Sequence, residues 1–131
     1  MSQQKRLVLV SQRPHLLDLA LLPFKEAGFT LEVMGDLACA VNSLSVENPP
    51  ALVILDLECE PTQLRQAAEK VLSHCALTSL TAVISLSPEA FHECTEGLGM
   101  LPPLPEVPDR SAGEALLAQV QRFLPKTDQA M

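Results

Sequence analysis

The run Ala51-Leu52-Val53-Ile54-Leu55 leads directly into Asp56 and constrains the fold more than any other stretch. Five aliphatic residues are too few for a helix of ordinary length, so the run predicts a strand that is buried on both faces. Such strands belong to parallel sheets with helices on both sides. Ligands of these sheets bind beyond the carboxyl ends of the strands, which makes Asp56 a candidate site residue. The alternative is that Asp56 simply ends a buried strand.

Length and composition predict one domain with an aliphatic core. The chain has 131 residues, of which 47% are hydrophobic and only 3% are aromatic. A chain of this size forms a single core of ordinary domain dimensions. We therefore expect a single domain over residues 1–125 and a frayed tail over residues 126–131.

The charge and the cysteines exclude several classes of function. A net charge of −7 without any Lys/Arg run opposes binding to nucleic acid or to an anionic membrane. No apolar segment approaches the length of a membrane span, and the N-terminus lacks the pattern of a signal peptide. The four cysteines contain no C-x-x-C pair, which argues against zinc and redox motifs. We expect a cytoplasmic protein with reduced thiols and without a metal or cofactor.

Apolar runs and capping signals alternate along the chain. Further strands are predicted at residues 7–10, 29–34 and 81–86. Helices are predicted to follow in order: from Pro14 to Gly28 with a kink or restart at Pro23, from Asp36 to about Val46, from Glu60 to Cys75, from Ser87 to near Gly97 or Gly99, and from a capping box of Ser111 and Glu114 to about Leu124.

The proline-rich stretch before the last helix leaves little room for a regular strand. Pro102, Pro103, Pro105 and Pro108 lack the N–H groups that a sheet requires, so a fifth strand must be short or irregular and lie at an edge. The alternating pattern predicts a flavodoxin-like α/β fold: a doubly wound parallel five-stranded sheet of order 2-1-3-4-5 in three α/β/α layers. In that order the end of the first strand lies beside Asp56.

This layout resembles that of a response-regulator receiver domain over roughly residues 5–124. The resemblance rests on the order of elements, on residues 52–56 at the third strand and on Gly28-Phe29 after the first helix. It implies that Asp56 occupies the phosphoacceptor position and that Ser85 is the hydroxyl residue after the fourth strand. Other receiver positions are altered. Ser11 and Gln12 stand where receivers carry an acidic pair, and Pro102 stands where they carry a lysine.

These departures remove groups that phosphoryl transfer requires. Transfer to a carboxylate needs a divalent cation and a basic side chain to offset charge on the phosphoryl oxygens. Glu58 lies near Asp56 in sequence and is either a weak cation ligand or a solvated loop acid, of which we favour the second. The predicted degenerate phosphoacceptor pocket consists of Asp56, Ser11, Gln12, Ser85, Glu58 and Pro102.

Three hypotheses for function follow. The leading one is a non-enzymatic, phosphorylation-independent, receiver-like signalling module of the two-component type. It would act by binding a protein partner. That partner could be a second copy of the chain, in a homodimer formed by the face from Ser87 to Leu124. The second is an atypical receiver that is phosphorylated on Asp56. The third is a small-ligand-binding protein or enzyme that uses the cleft between Ser11 and Asp56.

Overall fold

A computed structural model describes residues 5–44, 49–58, 60–76 and 78–123. Its strands are β1 (Arg6–Val10), β2 (Thr30–Met34), β3 (Leu52–Leu55) and β4 (Ser79–Ala82). Its α-helices are α1 (Asp18–Glu26), α2 (Leu37–Ser43), α3 (Pro61–His74), α4 (Pro88–Cys94) and α5 (Arg110–Phe123), with a 3-10 helix (Pro14–Leu17) before α1. The predicted end of the second helix near Val46 and the predicted tail over residues 126–131 lie outside the described residues.

The sheet is parallel, and the order of its strands is β2-β1-β3-β4. Residues 52–55 of β3 are all buried, as the sequence predicts for a strand covered on both faces. The doubly wound α/β prediction is confirmed. The regular sheet of the described residues has four strands rather than five, because the fifth is reduced to one residue.

That residue is Leu104, which forms a parallel bridge with Val83 beyond the end of β4. The Leu104 N–H donates to the Ala82 carbonyl over 2.8 Å, and the Ile84 N–H donates to the Leu104 carbonyl over 3.0 Å. Prolines on both sides of Leu104 cannot donate to a ladder, so the pairing stops after one residue. The prediction of a short, irregular fifth strand at the edge of the sheet is therefore correct.

Two buried clusters lie on opposite faces of the sheet, where the strands pack against the helices. The fold therefore has three layers: helices, sheet and helices. Alternate residues of β1 and β3 point to opposite faces, so Leu7 and Leu9 join one cluster and Val8 and Val10 join the other. The first cluster includes α1 and α5, and the second includes α2, α3 and α4. The five helices thus bury both faces of the sheet.

Three details of the sequence prediction are wrong. The first helix does not restart at Pro23, because α1 continues through it to Glu26. The change of helix type comes earlier, where the 3-10 helix ends at Leu17. Pro23 lies less than two turns into α1, so it removes little of the hydrogen-bond ladder. The fourth strand, predicted at residues 81–86, is observed at Ser79–Ala82.

The third error concerns the start of α5. The predicted capping box of Ser111 and Glu114 is absent, since α5 already begins at Arg110. Asp109 is the capping residue, and its Oδ1 accepts the Ala112 N–H over 2.9 Å. An aspartate accepts this bond as readily as a serine does.

None of the helices in the described ranges combines the length and apolar character needed to cross a bilayer.

Candidate functional site

Sheet register places the site at the carboxyl ends of β1 and β3. Val10 is paired with Leu55, so the residues that follow them, Ser11 and Asp56, lie side by side although 45 positions separate them. Backbone hydrogen bonds extend the sheet by one residue here. The Asp56 N–H donates to the Val10 carbonyl over 2.8 Å, and the Ser11 N–H donates to the Met34 carbonyl over 2.9 Å. Both side chains therefore start from a fixed backbone.

The Asp56 carboxylate is buried and bonded on both oxygens. Its side chain is 1% exposed. Ser11 Oγ donates to Oδ2 over 2.6 Å. Arg13 donates twice, from Nε to Oδ2 over 3.3 Å and from Nη2 to Oδ1 over 3.1 Å. A buried carboxylate needs such partners, because its desolvation would otherwise cost several kcal/mol.

Local structure holds Arg13 in position for this contact. The Arg13 N–H donates to Ser11 Oγ over 2.9 Å, so the serine hydroxyl links the loop backbone to the carboxylate. The Arg13 carbonyl accepts the Leu16 N–H over 3.1 Å and begins the 3-10 helix. Pro14 follows and disfavours the helical conformation at Arg13, whose φ and ψ are −140° and 57°.

Arg13 also contacts two further carboxylates. Its Nη1 lies 3.1 Å from Glu58 Oε2, and its Nη2 lies 4.0 Å from Glu106 Oε2. The Glu58 side chain is 75% exposed, so its contribution to stability is small. The hydrogen bond to Asp56, reinforced by the charges of Asp56, Glu58 and Glu106, raises the pKa of Arg13 against the opposing effect of burial. The guanidinium therefore stays charged at any physiological pH.

A cavity of about 540 Å³ opens beside this ion pair. It is lined by Ser11, Gln12, Arg13, Gly35, Asp36, Leu37, Asp56, Leu57 and Glu58. Asp36 contributes an acid at its rim, but one Asp36 oxygen already accepts the Cys39 N–H over 2.8 Å and caps α2. Among the described residues, no three His, Cys, Asp or Glu side chains are grouped so that they could hold a metal ion.

The six residues of the predicted pocket fall into two groups. Asp56, Ser11, Gln12 and Glu58 line the cavity together. Ser85 and Pro102 do not line it. Ser85 is exposed after β4, and Pro102 lies beside β4, where its carbonyl accepts Thr81 Oγ1 over 2.7 Å.

Sequence reasoning missed Arg13, the residue with the most polar contacts in the site. A signal for it existed. Ser11 and Gln12 follow β1 without any carboxylate, and a basic residue comes immediately after them, before Pro14. A cation so close to the predicted position of Asp56 was a candidate partner for its charge.

The fold is shared with known structures. No protein-family model matches the chain. No curated protein matches it either. Among solved structures, a signal receiver domain of a response regulator from Bermanella marisrubri aligns with a TM-score of 0.63 and 19% identity, over 92% of this chain and 98% of that one.

Two further structures show the same likeness. A CheY-like protein, TadZ, from Pseudomonas aeruginosa PAO1 aligns with a TM-score of 0.62 and 16% identity over 94% of both chains. A structure described as adenylate cyclase from Rhodopirellula baltica aligns with a TM-score of 0.72 and 12% identity, over 92% of this chain and 89% of that one.

The chain therefore has the fold of a response-regulator receiver domain, and the receiver resemblance seen in the sequence is confirmed at the level of fold. Within that fold, Arg13 donates two hydrogen bonds to the aspartate that follows β3.

Proposed function

We propose that this chain is a non-enzymatic, receiver-like signalling module that works through protein contacts and without phosphorylation of Asp56. One observation carries the proposal: the Asp56 carboxylate is 1% exposed and both of its oxygens are bonded to protein donors. The receiver fold supports a role in signalling, and the altered site supports independence from phosphorylation.

The chemistry of the site disfavours phosphoryl transfer. A carboxylate oxygen that attacks phosphorus must be free to approach it in line, with a divalent cation to offset the charge on the phosphoryl oxygens. Asp56 Oδ2 accepts bonds from both Ser11 and Arg13, and Oδ1 accepts one from Arg13. Ser11 and Gln12 stand where carboxylates would bind the cation. Because both side chains are uncharged, they are poor ligands for a divalent cation at the end of β1.

A homodimer through the face from Ser87 to Leu124 remains our proposal for how the module makes contact, although Leu124 itself lies outside the described residues. Within this face, a mainly apolar groove of about 170 Å³ lies between Leu104 and α5. It is lined by Pro102, Pro103, Leu104, Ala112, Ala115, Leu116 and Gln119. Sedimentation equilibrium of the full chain tests the dimer, and Ala115→Glu should weaken it because a charge would enter the groove.

Phosphorylation is tested by intact-mass spectrometry after incubation with acetyl phosphate and Mg²⁺. We expect the mass to stay unchanged in the wild type and in Asp56→Asn. A receiver domain with the acidic pair and the lysine in place serves as the positive control. A phosphoryl adduct that appears in the wild type and is lost in Asp56→Asn would instead identify an atypical, phosphorylatable receiver.

The cavity supports a second candidate function, the binding of a small polar molecule. It lies where ligands of open α/β sheets bind, and Ser11, Gln12 and Arg13 line it with hydrogen-bonding groups. Native mass spectrometry of the purified chain should then show a bound species that disappears in Gln12→Leu. A chain that retains no ligand from cell extract would count against this candidate.

A further inference from the structure

We propose that Arg13 is an internal counter-ion that blocks an external divalent cation from Asp56 and Glu58. The inference rests on the proposed function, for which it supplies a physical cause. The guanidinium occupies the space between the two carboxylates, with Nη2 3.1 Å from Asp56 Oδ1 and Nη1 3.1 Å from Glu58 Oε2.

Charge at the cavity gives the reason. Arg13 is the one basic residue among those that line it, against the acids Asp36, Asp56 and Glu58. With Arg13 present the lining carries a formal charge of −2, since three acids face one base, and without Arg13 it would carry −3. The buried Asp56 charge is the one that most needs compensation, because water cannot screen it.

If Arg13 were removed, two carboxylates and one hydroxyl would be free to act as oxygen ligands of a hard cation. Mg²⁺ prefers oxygen ligands and is commonly held by one or two carboxylates together with several waters. Asp56 and Glu58 supply two carboxylates from one short segment, and Ser11 Oγ adds a neutral oxygen that already lies 2.6 Å from Asp56. The adjoining cavity of about 540 Å³ has room for the waters.

Arg13 excludes a free divalent cation from Asp56 and Glu58 because it belongs to the same chain. Its backbone is fixed by the bond to Ser11 Oγ and by the 3-10 helix that follows, so the guanidinium is present at the carboxylates at a high effective concentration. A free cation would have to displace three donor contacts, namely those from Nε, Nη1 and Nη2. In the wild type the carboxylates are therefore closed to divalent ions.

The decisive variant is Arg13→Gln, which removes the charge and keeps amide donors near Asp56. Binding of Mn²⁺ is followed by the paramagnetic broadening of backbone amide signals in NMR spectra of the full chain. We expect Arg13→Gln to bind Mn²⁺ with a dissociation constant of roughly 1 mM, with broadening centred on residues 11–13 and 56–58. The wild type should show no saturable broadening there, and Arg13→Gln/Asp56→Asn should lose it again.

Arg110→Ala is the matched control. Arg110 also bridges two carboxylates, those of Glu26 and Glu114, but all three side chains are about half exposed. Its removal frees two carboxylates without leaving a buried charge, so we expect no saturable Mn²⁺ binding. Equal binding in Arg110→Ala and Arg13→Gln would overturn the inference, since any pair of freed acids would then suffice.

Folding of the variants can be separated from binding. If Arg13→Gln is too unstable for NMR, Arg13→Lys keeps a charge but offers a single compact ammonium group, and it should show weak Mn²⁺ broadening at the same residues, which the wild type lacks. The absence of site-centred binding in both variants would overturn the inference, while the wild type would still fail to accept a phosphoryl group. Labelling of the wild type by acetyl phosphate would instead overturn the proposed function.

Discussion

Arg13 and Arg110 make the same kind of contact in two different environments. Each arginine bridges carboxylates: Arg13 contacts Asp56, Glu58 and, more distantly, Glu106, and Arg110 contacts Glu26 and Glu114. The Asp56 side chain is 1% exposed, whereas those of Glu26 and Glu114 are 57% and 58% exposed. The comparison teaches that the burial of the acid, rather than the number of ion pairs, decides what such an arginine does.

At the end of β3, Arg13 compensates the buried charge of Asp56. The parallel sheet places Asp56 at a buried position, where an unpaired charge is costly. At the α1–α5 contact no such problem exists, because Glu26 and Glu114 would be hydrated without Arg110. Exposed pairs of this kind add little to stability. We therefore expect the first arginine to be essential and the second to be dispensable.

The largest loss of free energy of unfolding is expected for Arg13→Ala. It leaves the buried Asp56 carboxylate with only the Ser11 hydroxyl as a side-chain donor, and removing one partner of a buried pair typically costs about 3–5 kcal/mol. Because Arg13 is itself 26% exposed, water partly replaces it, and we expect a loss of about 2–4 kcal/mol in urea unfolding.

Arg13→Ala/Asp56→Ala provides the control for that measurement. When both partners are absent no charge is left buried, so the double variant should recover part of the loss. A double variant whose loss equals the sum of the two single losses would show that Arg13 acts through its packing and not through the charge of Asp56.

The second largest loss of stability is expected for Gly113→Ala, which tests how closely α1 and α5 must pack. Gly113 lies on α5 against the backbone of Ala20, and a Cβ added at Gly113 would lie 2.0 Å from the Ala20 carbonyl oxygen. Alanine in a helix is ordinarily favoured over glycine by about 1 kcal/mol. Here the clash with backbone reverses the sign, and Gly113→Ala should destabilise the fold by about 1–3 kcal/mol.

Gly35→Ala is the matched control for this change, since nothing lies within 4 Å of the added Cβ and the residue does not have a positive φ. Thermal unfolding should show a clear loss for Gly113→Ala and almost none for Gly35→Ala. If Gly113→Ala were as stable as the wild type, the two helices would be free to separate slightly. The contact would then depend on Arg110 more than we infer.

The sequence predicted the fold better than it predicted the site. Periodicity and capping residues identify a doubly wound sheet because each depends on neighbours within a few positions. The burial of residues 52–55 follows directly from their uninterrupted apolar character. The errors fell where two local signals compete, as with Asp109 and Ser111 at the start of α5.

The site depended on a contact that no local pattern encodes. The prediction placed Ser11 and Gln12 near Asp56 from strand order alone, and all three line the cavity. It could not foresee that Arg13 would fold back onto Asp56, because this depends on the bond between the Arg13 N–H and Ser11 Oγ and on the turn before Pro14. Assigning Ser85 and Pro102 to the same pocket relied on the receiver resemblance, and neither lines the cavity.

The smallest effect concerns the pH dependence of the exposed pair. The hydrogen bond from Arg110, helped by its positive charge, lowers the pKa of Glu26 below its ordinary value of 4.5. A lowered folded-state pKa means that Glu26 contributes stability above about pH 4.5, and that this contribution is lost as the pH falls through the folded-state pKa. Glu26→Gln should therefore be slightly less stable than the wild type at neutral pH.

The stability difference between the wild type and Glu26→Gln should vanish in acid, because both chains then carry an uncharged side chain at this position. It should also shrink when NaCl is added at neutral pH, since exposed charges are screened. Urea unfolding at several pH values measures both trends. A difference that persisted at a pH where the carboxyl group is protonated in both the folded and the unfolded chain would have to come from packing. In that case the contact of Glu26 with Arg110 would stabilise the fold by packing, although both side chains are exposed.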